Sequence, residues 1–307
     1  MPFASGSEVR VAYVAESTFG TTPATPTFKV SRLTSGGQRT NKQTGTSDER
    51  QPDRNVRDEF LLGLGSGGNY AAELTYATFD DWLEAVLCGT WTTDVLKNGT
   101  VRRSFTVEET LELGATDSFS RFTGATLGGM SLSLTAKEKA TLGFDWMARS
   151  ETLATAIIAG ATYTAPNTKD VMTASRSVAA LTLSAGAAKV RSLSLQVQNN
   201  LRERPEVGSP YSNEFGIGRF DLTGTLEAYF ESNALYQEVL DHGSGSLSFT
   251  IGDVADEKYT LLLPNIRFGD GERRVGGTSD DVMVSIPFRA LYDATEACSI
   301  KITRAVA

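Results

Sequence analysis

Between Asn69 and Leu87 the hydrophobic period of the chain changes from two to nearly four. Tyr70, Ala72, Leu74 and Tyr76 alternate with Ala71, Glu73 and Thr75, the pattern of a strand with one buried face. From Phe79 the apolar positions are Phe79, Trp82, Leu83, Val86 and Leu87, the spacing of an amphipathic helix. Asp80 and Asp81 stand where the positive end of a helix dipole favours carboxylates. The stretch predicts a strand, a tight corner and a two-turn helix.

The same grammar returns later in the chain. Phe220, Leu222, Gly224 and Leu226 alternate with polar or small residues, and Tyr229 and Phe230 follow. Leu235, Tyr236, Val239 and Leu240 then make a short amphipathic helix that ends at His242-Gly243. Leu240 lies 153 residues beyond Leu87. A strand precedes each copy, Phe28–Leu33 and Lys189–Val197, followed by a polar segment expected to be a long loop, Gly36–Asp58 and Asn199–Gly218. Three strand-like runs follow each copy, closing with Ala140–Ala148 and Asp281–Leu291. Such a repeat of pattern predicts tandem duplication: a first β domain over 1–150 with an N-terminal arm, a linker over 151–176, and a second β domain over 177–307. The linker is rich in Ala and Thr and turns at Pro166-Asn167; a short helix over Leu153–Ile158 is its one expected element.

A chain of 307 residues can bury one large core or two ordinary ones, and the repeat favours two. With 29 glycines and 21% charged residues the composition suits a mainly β protein. No apolar run reaches the length of a membrane span, and Met1–Gly20 lacks the basic start and apolar middle of a signal peptide, so synthesis in a cytoplasm without membrane insertion is expected. Cys88 and Cys298 show no metal-type spacing and read as free buried thiols. A net charge of -8 argues against a protein that grips nucleic acid.

Glu8–Ala15 reads as a strand-like arm able to pair with its own sheet or a neighbour's, and Cys298, Ile300 and Ile302 predict a strand at the C-terminus. Gly63-Leu64-Gly65-Ser66-Gly67-Gly68 matches a dinucleotide fingerprint by letter, but a strand follows it where the fingerprint needs a helix. It reads as a glycine hinge between two strands, where another chain comes close. His242 is the only histidine, which leaves zinc sites and a Ser-His-Asp relay without partners, and it reads as a helix-ending residue. Asp80-Asp81 is explained by the helix start and Asp280-Asp281 by a turn; Asn98-Gly99-Thr100 is a turn. Tyr70, Tyr76, Phe79, Trp82, Trp146, Phe220, Tyr229, Phe230 and Phe288 fall at core spacing. No catalytic, cofactor or metal constellation emerges, and the expectation is a protein that is not an enzyme.

The opening Ala4-Ser5-Gly6-Ser7-Glu8-Val9-Arg10-Val11-Ala12-Tyr13-Val14-Ala15-Glu16-Ser17-Thr18-Phe19-Gly20-Thr21-Thr22-Pro23 and the segment Tyr76-Ala77-Thr78-Phe79-Asp80-Asp81-Trp82-Leu83-Glu84-Ala85-Val86-Leu87 resemble the tail tube proteins of long, non-contractile-tailed bacteriophages. The resemblance implies β-sandwich or barrel-like domains, each with a short flanking helix, in a virion protein made in the bacterial host cytoplasm. Rings of such domains stack into a hollow tube that delivers DNA, with a tape-measure protein and a tail terminator as partners. A duplicated chain is expected to close a ring of three with pseudo-sixfold symmetry; six chains are needed if one half alone lines the channel.

Within that implied role the polar segments supply the ring-stacking residues: Thr40, Asn41, Gln43, Arg50, Arg54, Arg57, Asn199, Asn200, Arg202 and Arg204. An acidic lumen would let phage DNA pass without specific binding. Its candidates are Asp48, Glu49, Asp53, Asp58, Glu59, Glu203, Glu206 and Glu214. Stacking is a head-to-tail contact that need not close, and so makes filaments from one kind of surface. A tube subunit of a contractile tail is a variant within this class. A β-sandwich virion module that binds a carbohydrate or host receptor is the second reading, and it gives no reason for two matching polar segments.

Overall fold

A computed structural model describes residues 4–114, 116–175, 178–183 and 189–305. The first half runs β1 (Val9–Ala15), β2 (Thr27–Val30), β3 (Ser35–Thr46), β4 (Glu59–Glu73), α1 (Asp80–Val86), β5 (Val95–Lys97), β6 (Phe105–Leu111), β7 (Ser118–Thr135) and β8 (Thr141–Ala148). β9 (Ser150–Ala154) and β10 (Thr162–Thr164) follow. The second half runs β11 (Val178–Leu183), β12 (Val190–Gln198), β13 (Arg202–Glu203), β14 (Phe215–Gly216), β15 (Asp221–Tyr229), α2 (Asn233–Leu240), β16 (Ser244–Ile251), β17 (Tyr259–Phe268), β18 (Glu272–Arg274), β19 (Met283–Ala290) and β20 (Lys301–Arg304). The protein is mainly β, with two short helices and one large mixed sheet.

Both helices lie where the change of period predicts them, and both end alike. Cys88 takes φ 47°, the Cys88 N–H donates to the Ala85 carbonyl, and the Gly89 N–H reaches back to the Glu84 carbonyl. His242 takes φ 51°, its N–H donates to Val239, and the Gly243 N–H reaches Glu238. Each is a left-handed residue followed by glycine, which satisfies the last helical carbonyls. Gly243 lies 154 residues beyond Gly89, so the caps move the sequence-derived helix offset by one.

The strands pair by one scheme in both halves. In the first, β1 pairs with β6, β6 with β7, β7 with β8, β8 with β4 and β4 with β3, all antiparallel. In the second, β11 pairs with β16, β16 with β17, β17 and β18 with β19, β19 with β15, and β15 with β12. The halves meet where the C-terminal part of β7 pairs with β12, from Gly129 opposite Gln198 to Thr135 opposite Ser192. The result is one row of eight antiparallel strands: β3–β4–β8–β7–β12–β15–β19–β18. The N-terminal part of β7 leaves this row to pair with β6 and β9, and β1, β2 and β10 extend that second layer.

Alternation along the row fixes the core. Leu142, Phe144, Trp146 and Ala148 of β8 and Val284, Ile286, Phe288 and Ala290 of β19 are buried in the same alternating pattern. Trp82 of α1 packs on this side against Phe144 and Trp146, and Tyr13 and Phe105 close over them from the second layer. Asp80 and Asp81 join distant strands: Asp80 accepts from Tyr259 at 2.5 Å and Arg304 at 2.6 Å, Asp81 from Tyr13 at 3.0 Å and Lys29 at 2.5 Å.

The structure corrects several expectations. The polar segment 36–58 is half strand: β3 pairs with β4 from Ser35 opposite Ala71 to Thr46 opposite Glu59, and 47–58 is the loop of the hairpin. Polarity does not forbid a strand whose hydrogen bonds are met by its ladder and whose side chains stay in water. Gly63–Gly68 lies inside β4 and is no hinge. A Cβ on Gly68 would stand 2.0 Å from the Gly37 carbonyl oxygen, so the backbone that comes close belongs to the same chain. The N-terminal arm, by contrast, takes the first of its two expected partners, its own sheet: β1 pairs with β6 over seven residue pairs. Leu153 lies in β9, where a helix was expected, and β10 runs parallel to β2. Cys298 and Ile300 are buried just ahead of β20, so the last strand starts later than predicted. Tyr229 is 40% exposed at the end of β15, outside the core.

Candidate assembly surfaces

Three surfaces of this fold are free to meet other chains. The first is the pair of open edges: among the described residues β3 pairs only with β4, and β18 only with β19. Unpaired strand edges recruit further strands by main-chain hydrogen bonds.

The second is the outward face of the eight-strand row. The pairings align its side chains in ranks that cross both halves: Ala71, Gly143, Ser131, Gln196, Thr223 and Arg289 in one, and Glu73, Thr141, Ser133, Ser194, Thr225 and Pro287 in the next. Small and hydroxylated side chains dominate. Asp145, Asp221 and Glu227 share this face, and the Arg219 hydrogen bond holds Asp221 below the usual carboxylate range. Asp145 and Glu227 sit between buried apolar neighbours, as in Phe144-Asp145-Trp146, and Asp221 between half-buried Phe220 and buried Leu222, an alternation that could have marked them in the sequence.

The third is the outer end of the β3–β4 hairpin. Phe60, Leu61 and Leu62 of β4 are 42%, 51% and 61% exposed, and Val56 in the loop 72%. Sequence reasoning did not mark them. The second polar segment folds against the base of this hairpin: the Leu64 N–H donates to the Pro210 carbonyl at 2.7 Å. The two segments therefore stand together.

The predicted stacking residues divide accordingly. Asn41 and Gln43 are exposed on β3, and Arg50, Arg54 and Arg57 in the loop, where Arg57 pairs with Asp53. Thr40 is half-buried and donates to Glu151 at 2.5 Å. Arg202 is exposed, Arg204 pairs with Glu214, and Asn200 donates to the Arg219 carbonyl at 2.8 Å. Asn199 is the exception. It is buried and its Nδ2 donates to the carbonyls of Val86 and Leu127 at 2.8 and 3.2 Å, so it fastens the end of α1 and is removed from the stacking set. Asp48, Glu49, Asp53 and Asp58 lie in the hairpin loop and Glu59 at the outer end of β4; Glu203 and Glu206 are exposed in the second segment, where the Glu203 carboxylate stands 3.3 Å from where a Cβ on Gly65 of β4 would be, beside Arg39, Asn41 and Gln43.

Beneath the open edge of β3 lies an unusual polar cluster. Glu109 of β6 accepts from the Tyr70 hydroxyl at 2.5 Å and the Gln38 N–H at 2.8 Å. Burial, opposed by those hydrogen bonds, raises its pKa, and Glu151 adds to the rise. A folded pKa above the unfolded one means the folded chain binds more protons in the window between them. Stability of the isolated chain is therefore expected to fall as pH rises through that window. Glu109→Gln should remove this slope in urea titrations at a series of pH values; an unchanged slope would assign it to another group.

The chain belongs to the phage tail tube protein family, whose model matches residues 6–290. It is a structural component of the phage tail, the subunit of its tube, and carries no enzymatic role. A comparison with curated proteins finds no match. No helix among the described residues is long and apolar enough to cross a membrane.

Proposed function

We propose that three copies of this chain close each ring of the tube, with both halves lining the channel as tandem tube-type β domains, 1–150 and 177–307, joined by 151–176. The observation that carries this reading is the β7–β12 join, which sets two four-strand sets side by side in one sheet. Each half contributes its strands in the same order, so the chain has already made one of the lateral contacts a ring needs. Three chains then supply six such sets, the pseudo-sixfold arrangement.

In this reading the outward face of the row is the channel wall. Its Ser, Thr, Gln and Gly side chains offer DNA little to hold, and Asp145, Asp221 and Glu227 repel phosphate. The β3–β4 hairpins project to the next ring with Asn41, Gln43, Arg50, Arg54 and Arg57, supported by Asn200, Arg202 and Arg204. The carboxylates of the hairpin end, with Glu203, Glu206 and Glu214, stand at the junction between rings, where they meet arginines of the neighbouring ring. The tape-measure protein occupies the lumen during assembly and the terminator closes one end.

Native mass spectrometry of isolated rings, with class averages from electron microscopy, tests the stoichiometry. Three chains per ring are expected; six would mean that one half decorates the outside.

A further inference from the structure

We infer that neighbouring chains join through β3 and β18 in one register, which sets Arg39 opposite Glu272 and delivers Arg273 to the half-buried carboxylate of Glu109. The inference rests on the ring reading above and adds the contact that closes the ring.

The register follows from the join the chain makes with itself. Strand β8 corresponds to β19 at an offset of 142, which superimposes their buried positions; Gly143 and Leu142 thus match Ser285 and Val284. Ser131 and Leu132 lie opposite the first pair, and Glu272 and Arg273 opposite the second, so Ser131 corresponds to Glu272 and Leu132 to Arg273. Ala71 and Glu227 lie opposite Gly143 and Ser285, and their partners on the other side are Ser35 and Ser192. Gln38 therefore corresponds to Leu195 and Arg39 to Gln196. Inside the chain Ser131 pairs with Gln196 and Leu132 with Leu195. Between chains the same join pairs Glu272 with Arg39 and Arg273 with Gln38.

Two independent features fit this register. Opposite charges meet at the first pair, where a like pair would destabilise the ladder. At the second, the positions equivalent to Gln38, Tyr70 and Glu109 are Leu195, Leu226 and Phe249, all buried apolar residues. The polar trio occurs only beside β3, whose outer side is open, whereas its equivalent β12 is paired with β7. Gln38 is 8% exposed, yet neither its Oε1 nor its Nε2 has a hydrogen-bond partner, and among the described residues no cation pairs with Glu109. Buried polar atoms without partners are costly in a finished structure, and a half-buried carboxylate without counter-charge adds to that cost. An arginine arriving on the core-facing side of the edge supplies what both lack. In the free chain Arg273 lies over the rings of Tyr236 and Phe230, 4.6 and 5.8 Å from their centres, on an exposed strand. Glu109 meanwhile occupies the Gln38 N–H, which keeps the edge from pairing indiscriminately.

Cysteine pairs in the full chain read the register directly. Oxidised rings of the Arg39→Cys/Glu272→Cys variant should give a covalent trimer on a non-reducing gel, while Asn41→Cys/Glu272→Cys, two residues out of register, should not. Arg273→Glu should raise the concentration for half-maximal ring formation by about tenfold or more. Arg39→Glu should also weaken assembly, and Arg39→Glu/Glu272→Arg should restore it. Rings that form normally but link through position 41, or that ignore Arg273→Glu, would overturn the register and leave the three-chain ring intact. Rings of six, or none from the unaltered chain, would overturn the ring reading and the proposal with it.

Discussion

Replacing Phe60, Leu61 and Leu62 together with serine should leave rings that no longer stack. In the free chain Phe60 and Leu62 lie over Gly45 of β3 and not in the core, and Phe60, Leu61 and Leu62 are 42%, 51% and 61% exposed. The substitution removes little from the folded monomer, so its thermal midpoint should stay within a few degrees of the parent. Covering the exposed part of an aliphatic or aromatic side chain contributes about 1 kcal/mol. Three such residues on each of three chains give roughly 9 kcal/mol per ring junction before the entropy of ordering the hairpins is subtracted. That is large against the balance that decides whether a filament persists. Electron microscopy over a concentration series should show rings or single particles and no tubes. Tubes of normal length at normal concentration would take the hairpin out of the stacking contact.

Much of the fold was legible because one face of each strand is buried. The switch of period at Phe79 marked α1, which buries that stripe, and the weaker copy at Leu235 marked α2, whose Leu235, Tyr236 and Val239 are half-buried while Leu240 is exposed. The hairpin was not legible for the opposite reason. β3 has almost no buried residue besides Gln38, so no alternation marks it, and its identity as a strand comes from the partner strand β4. The same lack of contrast hid Phe60, Leu61 and Leu62, which look like the start of a core strand yet point into solvent. Asn199 illustrates a third limit. An asparagine in a polar segment reads as surface, and only the distant carbonyls of Val86 and Leu127 reveal it as an internal fastener. The open edges lay beyond sequence reasoning because an edge is defined by the strand that is missing beside it. What the sequence did carry was the repeated pattern of strand and helix; the register of the join needed the pairings and the buried positions of β8 and β19.

The two halves differ in how their helices are packed. Trp82 is fully buried, with ring centres of Phe144, Trp146, Tyr13 and Phe79 at 4.9, 5.1, 5.4 and 5.5 Å. The matching position in α2, set by the helix caps, is Tyr236, which is only partly buried. Trp82→Ala should cost about 3–5 kcal/mol, the range for emptying a packed aromatic site. A domain is stable by only about 5–15 kcal/mol, so most of the assembled tube should be lost with it. The loss should not stay local. α1 carries Asp80 and Asp81, whose hydrogen bonds reach Tyr13 and Lys29 in the first half and Tyr259 and Arg304 in the second. Tyr236→Ala should cost about 1 kcal/mol, since less surface returns to water. The indole N–H of Trp82 has no hydrogen-bond partner, so Trp82→Phe, which keeps a ring and discards an unsatisfied donor, should cost about 1–2 kcal/mol. Urea unfolding of the three variants ranks them. If Trp82→Ala and Tyr236→Ala cost the same, the two helices bear equal shares of the packing, and the first half does not anchor the second.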